Sequence, residues 1–326
     1  MNTDPSAVPC PVCATLCMQA QSYTAYSAAA HFCPPTRNPD RHARLMTSIK
    51  KLWGKDLCSI YYCPECGFGF GYPFIGGDEE FYGILHEQKN YPKWRWDYDF
   101  AIEKALQPMG GGRILEIGAG VGMFLRSLDS KWSCFALEGS EKTRAELRKI
   151  NIQTFPNLEM AIASNAGTFQ AVVLFQVLEH ISQFKEVLDS SHKLLQKGGR
   201  ITLTVPDVEA MIRQEKLTGC ADMPPNHICK WSQKSLIQAL RKAGFEPECF
   251  IYEKSSWKNV FDALHMTMMS DAMNPKSLAA FIYQIPNKPL RVIFLALLAP
   301  VTFLKLLPHL SELRLGGAFG ITAVAR

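Results

Sequence analysis

Residues 114–122 read ILEIGAGVG, an apolar run carrying Glu116 and then glycines at 118, 120 and 122. The reading of this stretch decides the fold, because it describes a strand, a tight turn and a helix start in succession. Glycine has no Cβ atom, so the backbone can turn sharply and a ligand can lie directly against it. Dinucleotide-binding turns space their glycines G-x-G-x-x-G, whereas here the spacing is G-x-G-x-G with a carboxylate just ahead. That carboxylate repels phosphate and attracts a cationic amino-acid head. The turn therefore suits a ligand that brings no pyrophosphate to the helix end, and its alternative reading is a turn without a ligand.

Working outward, Val121–Leu128 is predicted to be an amphipathic helix, and Trp132–Leu137 a second buried strand ending in Glu138, Gly139 and Ser140. Glu138 stands 22 residues beyond Glu116, about where the acidic end of a second strand meets ribose hydroxyls in nucleotide-binding α/β folds. A carboxylate can accept two hydrogen bonds from a vicinal diol. Residues 171–181, AVVLFQVLEHI, read as a strand emerging at Gln176–His180. Helical periodicity follows over Phe184–Gln196, Lys197-Gly198-Gly199 stops it, and Arg200–Val205 is the next strand. Such alternation predicts a parallel sheet covered on both faces.

Four segments in order carry a resemblance: LEIGAGVG at 115–122, ALEGS at 136–140, FQVLEHI at 175–181 and LLQKGGRITLTVP at 194–206. Together they resemble the class I S-adenosylmethionine-dependent methyltransferases. The resemblance implies an α/β fold with a seven-stranded Rossmann-like sheet. It also implies that Glu116, Gly118, Ala119, Gly120 and Gly122 line the methionine end of S-adenosylmethionine. Glu138 and Gly139 would hold the ribose, and Gln176, Val177 and Leu178 would run along the cofactor's inner face. Gln170 departs from the Asp that many relatives carry there. Glu179 and His180 read locally as a helix start, with Glu favourable at the positive end of the dipole. In relatives this pair closes the cofactor pocket.

Four of the eleven cysteines form two C-P-x-C turns, Cys10/Cys13 and Cys63/Cys66. Two such knuckles can present four thiolates tetrahedrally, as structural zinc prefers. The intervening 49 residues exceed the usual ribbon spacing of roughly 15 to 20, which an insertion over 31–57 would explain. Cys17, Cys33 and His31 are the substitute ligands. Some methyltransferases of sugars and small molecules are similar in having a Cys-paired leader. The cysteines, with no charged leader and apolar signal segment, point to a reducing cytosol rather than to disulfides.

The chain has 326 residues, 47% of them apolar, enough for one enlarged or two domains. A net charge of +5 without a basic block argues against nucleic-acid binding. Residues 80–106 hold Phe81, Tyr82, Tyr91, Trp94, Trp96 and Tyr98, which either pack a core or form a lid over cofactor and substrate. Farther on, Ser232 is an N-cap, Leu236, Ile237 and Leu240 give an apolar face, Gly244 ends the helix, and Glu246–Glu253 is a strand.

His227 belongs to the loop expected beyond the carboxyl ends of the strands, where open α/β sheets bind ligands. It reads equally as a general base toward an acceptor hydroxyl or as a residue ordering the loop. The loop also resembles the H-x-x-x-[FW]-S element of deoxysugar C-methyltransferases, but Pro224 and Asn226 replace the Tyr and Glu found there. O-methylation is therefore the plainer expectation.

Val292–Leu304 is an apolar run of 13 residues interrupted by Pro300, short of the roughly 20 a bilayer span needs. A buried helical hairpin, a cover on the substrate pocket, a dimer contact and a membrane-surface segment over 290–308 are its readings. Residues 319–325, FGITAVA, read as the last strand. The expected organisation is a zinc-binding leader (1–80), aromatic linker helices (81–110), a cofactor domain (111–254), a helical insertion (255–316) and the final strand (317–326). The expected function is cytoplasmic methylation of a sugar, glycan or other small-molecule hydroxyl, with peripheral contact at the inner face of a membrane as an open possibility. A sugar C-methyltransferase, an RNA- or protein-modifying enzyme and a non-catalytic scaffold are the alternatives.

Overall fold

The apolar run ahead of the glycine turn becomes β1 (Gly112–Ile117), which pairs in parallel with β4 (Phe169–Phe175), the central strand of a seven-stranded sheet. In the computed structural model, which describes residues 7–87 and 94–326, five further strands complete the sheet. These are β2 (Trp132–Leu137), β3 (Gln153–Phe155), β5 (Leu195–Pro206), β6 (Phe245–Tyr252) and β7 (Ala318–Ala325). Their order is β6-β7-β5-β4-β1-β2-β3. All pairs from β5 to β3 are parallel, and β7 runs antiparallel between β5 and β6. β1 and β4 are buried along most of their length, as strands covered on both faces must be, which is why they read as near-continuous apolar runs.

The chain falls into two compact units. The first holds this sheet and comprises, of the described residues, 94–206, 231–253 and 318–326. On one side of its sheet Ile114, Ala136, Ala171 and Val173 pack with Ala101, Ala105, Phe124 and Leu147. Ser232 caps the helix Gln233–Lys242 through a reciprocal box with Ser235, and Gly244 in the left-handed region follows its end. The helix expected over Val121–Leu128 does not form; a single 3-10 turn, Leu125–Ser127, stands in its place. Gly118, Gly120 and Gly122 have φ of 76°, 52° and 70°, and alternate left-handed residues cannot propagate a right-handed helix.

The second unit comprises residues 7–87, 207–230 and 254–317. Residues 207–230, read from the sequence as part of the stretch 111–254, thus cluster with the N-terminal region and the helical segment. An antiparallel sheet runs in the order Cys229–Lys230, Gly69–Tyr72, Leu57–Tyr62, Gln19–Thr24. Helices Ala25–Phe32 and Pro39–Trp53 pack with Phe81, Ile84 and Leu85 into one core. They fill the long gap between the two cysteine knuckles.

The aromatic segment 80–106 is divided between the units. Phe81 is fully buried in the second and Tyr98 packs on Phe124 and Phe175 in the first, so these two rings are core residues rather than lid surfaces. Tyr91 lies outside the described residues. The apolar run near the end also differs from its reading. It forms one continuous helix, Lys288–Leu306, which carries on through Pro300. With the turn and short helix up to Leu313 it is long and apolar enough, by length and composition, to cross a membrane. Only 11% of its most apolar window is buried, which overturns the buried-helix reading.

Candidate functional site

The glycine turn at the end of β1 is held by contacts that each require a specific atom. Gly118 N donates to Leu137 O at 2.9 Å, and Gly120 N donates to the Glu138 carboxylate at 3.0 Å. The other oxygen of Glu138 accepts from Ser140 N, also at 3.0 Å. The parallel β1–β2 pairing thus brings Glu138 to the turn. A Cβ on Gly118 would lie 2.7 Å from Val177 Cγ2, so the side chain at 177 seals against bare backbone.

Glu116 is 4% exposed, and its Oε2 has no hydrogen-bond partner. Burial raises its carboxyl well above the usual range; Asp97 and Glu138 add to the effect and Arg95 opposes it. Asp97 is itself fully buried, paired with Arg95, and accepts from the Thr204 hydroxyl at 3.0 Å. Around Glu116, therefore, two neighbouring carboxylates are set against one guanidinium. Such an excess is relieved by a cationic ligand or by protonation. Beyond β4, Gln176 adopts φ of 56°, uncommon for a residue with a side chain, and its buried Nε2 also lacks a partner. Leu178 is buried and Ala119 nearly so, while Glu179 is buried with an oxygen 3.8 Å from His180 Nε2. The residues 116, 118–120, 122, 138, 139 and 176–180 all belong to the first unit. Asp97 and Arg95 were missed by sequence reading, being hidden in an aromatic-rich segment with no spacing signature.

His227 belongs to the second unit. Its Nδ1 lies 2.7 Å from the Asp222 carboxylate. Burial alone would raise that carboxyl, but the neighbouring His227 and Lys230 outweigh it and hold Asp222 well below the usual carboxylate range. An ionised Asp222 can only accept, so the bond makes Nδ1 the donor and gives Nε2 the basic lone pair. Lys230 is buried and donates to the Asp222 carbonyl at 2.6 Å. Burial also keeps His31 neutral, its pKa lowered to about 4. Asp222, five residues before His227, belongs to no motif that could have announced it.

The two cysteine knuckles are closed by the same pair of backbone bonds. Cys10 N donates to Thr15 O and Ala14 N to Cys10 O; Cys63 N donates to Phe68 O and Gly67 N to Cys63 O. Ala14 and Gly67 both occupy the left-handed region. Cys10 Sγ is 3.6 Å from Cys66 Sγ and Cys13 Sγ is 3.4 Å from Cys63 Sγ, all four lying within 4.8 Å of one another. A tetrahedron with metal–sulfur bonds of about 2.3 Å has edges of about 3.8 Å, so these thiols can hold one zinc ion. Of the substitute ligands, Cys17 lies beside the cluster, its thiol interacting with Cys63 and its Sγ 3.3 Å from Thr15 O. The other two stand elsewhere: Cys33 faces the Asn38 carbonyl, and His31 lies 3.6 Å from Cys220 Sγ.

Residues 92–249 match the model of a family described as a methyltransferase domain. The chain carries a class I S-adenosylmethionine-dependent methyltransferase domain. That domain holds the seven-stranded sheet and the glycine turn. Over 145 residues the chain is 28% identical to the ubiquinone biosynthesis O-methyltransferase of Caulobacter vibrioides, covering 42% of this chain and 54% of that relative. The chain thus spans about half the length of the curated relative it matches. Solved structures of S-adenosylmethionine-dependent methyltransferases from Mesorhizobium loti and Thermotoga maritima are similar at 16% and 17% identity, with TM-scores of 0.40 and 0.39. The former match covers 69% of this chain and 97% of the other, and the latter 71% and 91%. The four knuckle cysteines, Cys10, Cys13, Cys63 and Cys66, lie outside the residues matched by the family model.

Proposed function

We propose that this chain methylates a hydroxyl of a sugar, a glycan or another small metabolite. The observation that carries the reading is Glu116, a buried carboxyl with an unpartnered oxygen beside a turn of bare backbone. When bound, S-adenosylmethionine supplies a methyl group already activated by its sulfonium, so the protein needs chiefly to position the acceptor. Glu116 would accept from the ammonium of the amino-acid end, Gln176 Nε2 would donate to its carboxylate, and Glu138 would accept from ribose hydroxyls. His227, oriented by Asp222, would take the acceptor's proton through Nε2. An O-methyltransferase relative at 28% identity supports oxygen as the methylated atom. Cys10, Cys13, Cys63 and Cys66 would hold zinc as a structural ion, since four thiolates leave no position open for catalysis.

Calorimetric titration with S-adenosylmethionine and with NAD tests this reading. Glu116 keeps its proton between the usual carboxylate pKa and its own raised value. A cationic ligand favours the ionised form and expels that proton, so affinity should rise with pH across this window. Titrations in buffers of different ionisation enthalpy should show proton release on binding, and Glu116→Gln should abolish it. Binding of NAD alone, or of neither ligand, would sink the proposal.

A further inference from the structure

In the second unit, helix Lys288–Leu306 is apolar on two opposite faces. Leu295 and Leu298 pack on Met269, Ala272, Ala279 and Tyr283, and Phe303 and Leu306 on Val260, Ala263 and Leu313. The opposite stripe, Leu290, Phe294, Leu297, Val301 and Leu304, follows helical spacing and is exposed, Leu297 by 67% and Leu304 by 66%. Phe281, on the adjacent helix Leu278–Tyr283, is 74% exposed and Leu278 scarcely less. Taking roughly 100 Å² for each half-exposed large side chain, this surface is on the order of 600 Å² or more, at the upper end of what monomers expose. An all-round apolar helix normally has both faces covered.

We propose that helix Lys288–Leu306 docks this unit onto the surface of an anionic phospholipid bilayer. Charge selects the occupant. The helix has Lys288, Arg291 and Lys305 and no acidic residue, so its ends suit anionic headgroups while its middle suits acyl chains. Lys305 also pairs with Asp271 at 3.5 Å, an exposed contact that anionic lipid can replace. A second copy of the chain would bring the same cations to the seam with no acidic residue on that helix to meet them. The helix lies on the bilayer and does not cross it. Its middle is packed against Met269 and Ala272 and its last turn against Val260 and Ala263, so the stretch from Leu295 to Leu306 is tied along the helix Trp257–Asp271 and its C-cap.

Flotation of the full chain with vesicles tests the docking, which does not rest on the methyl-transfer reading. The protein should float with phosphatidylcholine vesicles containing phosphatidylglycerol and far less with phosphatidylcholine alone. Paired substitution of Leu297→Glu and Leu304→Glu, both on the exposed stripe, should lower partitioning at least about tenfold with circular dichroism unchanged. Lys288→Ala with Arg291→Ala should weaken binding to the anionic vesicles by roughly fivefold per cation and leave binding to the neutral ones unaltered. Absence of flotation, or flotation indifferent to both pairs, overturns the proposal. So does a dimer in light scattering that fails to float and dissociates with the Leu297/Leu304 pair, for then a second copy covers the face.

Discussion

Replacing Gly118 by Ala perturbs the turn in two separable ways. The backbone sits at φ of 76°, where an L-residue pays roughly 1–2 kcal/mol that glycine does not. The new Cβ would also stand 2.7 Å from Val177 Cγ2, well inside ordinary carbon–carbon contact. Val177 is branched at Cβ and stiff, so it cannot swing aside at low cost; overpacking of this kind costs about 1–3 kcal/mol. The sum is a loss of about 2–5 kcal/mol. Shortening the neighbour separates the parts: with Val177→Ala in place, Gly118→Ala should cost only the backbone share of about 1–2 kcal/mol. Urea denaturation of the four members of this cycle, followed by tryptophan fluorescence, measures both terms. A Gly118→Ala loss below about 0.5 kcal/mol, or one that Val177→Ala leaves unchanged, would refute the steric account of the turn.

The cysteine geometry predicts about one zinc per purified chain, reduced to near none by Cys63→Ser and unaffected by Cys17→Ser. Elemental analysis decides it, and equal losses from both substitutions would redraw the ligand set. For the His–Asp pair, Asp222→Asn removes the anion that orients Nδ1 and should lower kcat by about 100-fold with S-adenosylmethionine affinity unchanged. His227→Ala should do the same, and the double variant should be little worse than either. Parallel loss of cofactor affinity would instead assign both residues to structure.

Much of the sheet was legible in the chain because its signals are local. The second strand is bounded as read at Trp132–Leu137, Ser232 caps the predicted helix, and the last strand, read over 319–325, forms over Ala318–Ala325. Apolar runs buried on both faces and side-chain caps are written within a few consecutive residues. The turn was legible in composition but not in consequence: a glycine pattern permits left-handed backbone, and here the chain uses it at three alternate positions in place of a helix. Pro300 misled in the opposite direction, since the helix runs on through it and stays packed along one face.

By itself, then, the sequence determined the parallel sheet, the glycine turn, the acidic strand ends and the two cysteine knuckles, because each depends on backbone preferences and spacing over a few residues. Only the tertiary structure decided which side chains face one another. It set Asp97 and Arg95 near Glu116 and gave His227 its Asp222. It also drew four sulfurs from knuckles 49 residues apart into one cluster and left the Leu290–Leu304 stripe outward. Those outcomes depend on packing between distant segments, where burial and charge act through space rather than along the chain.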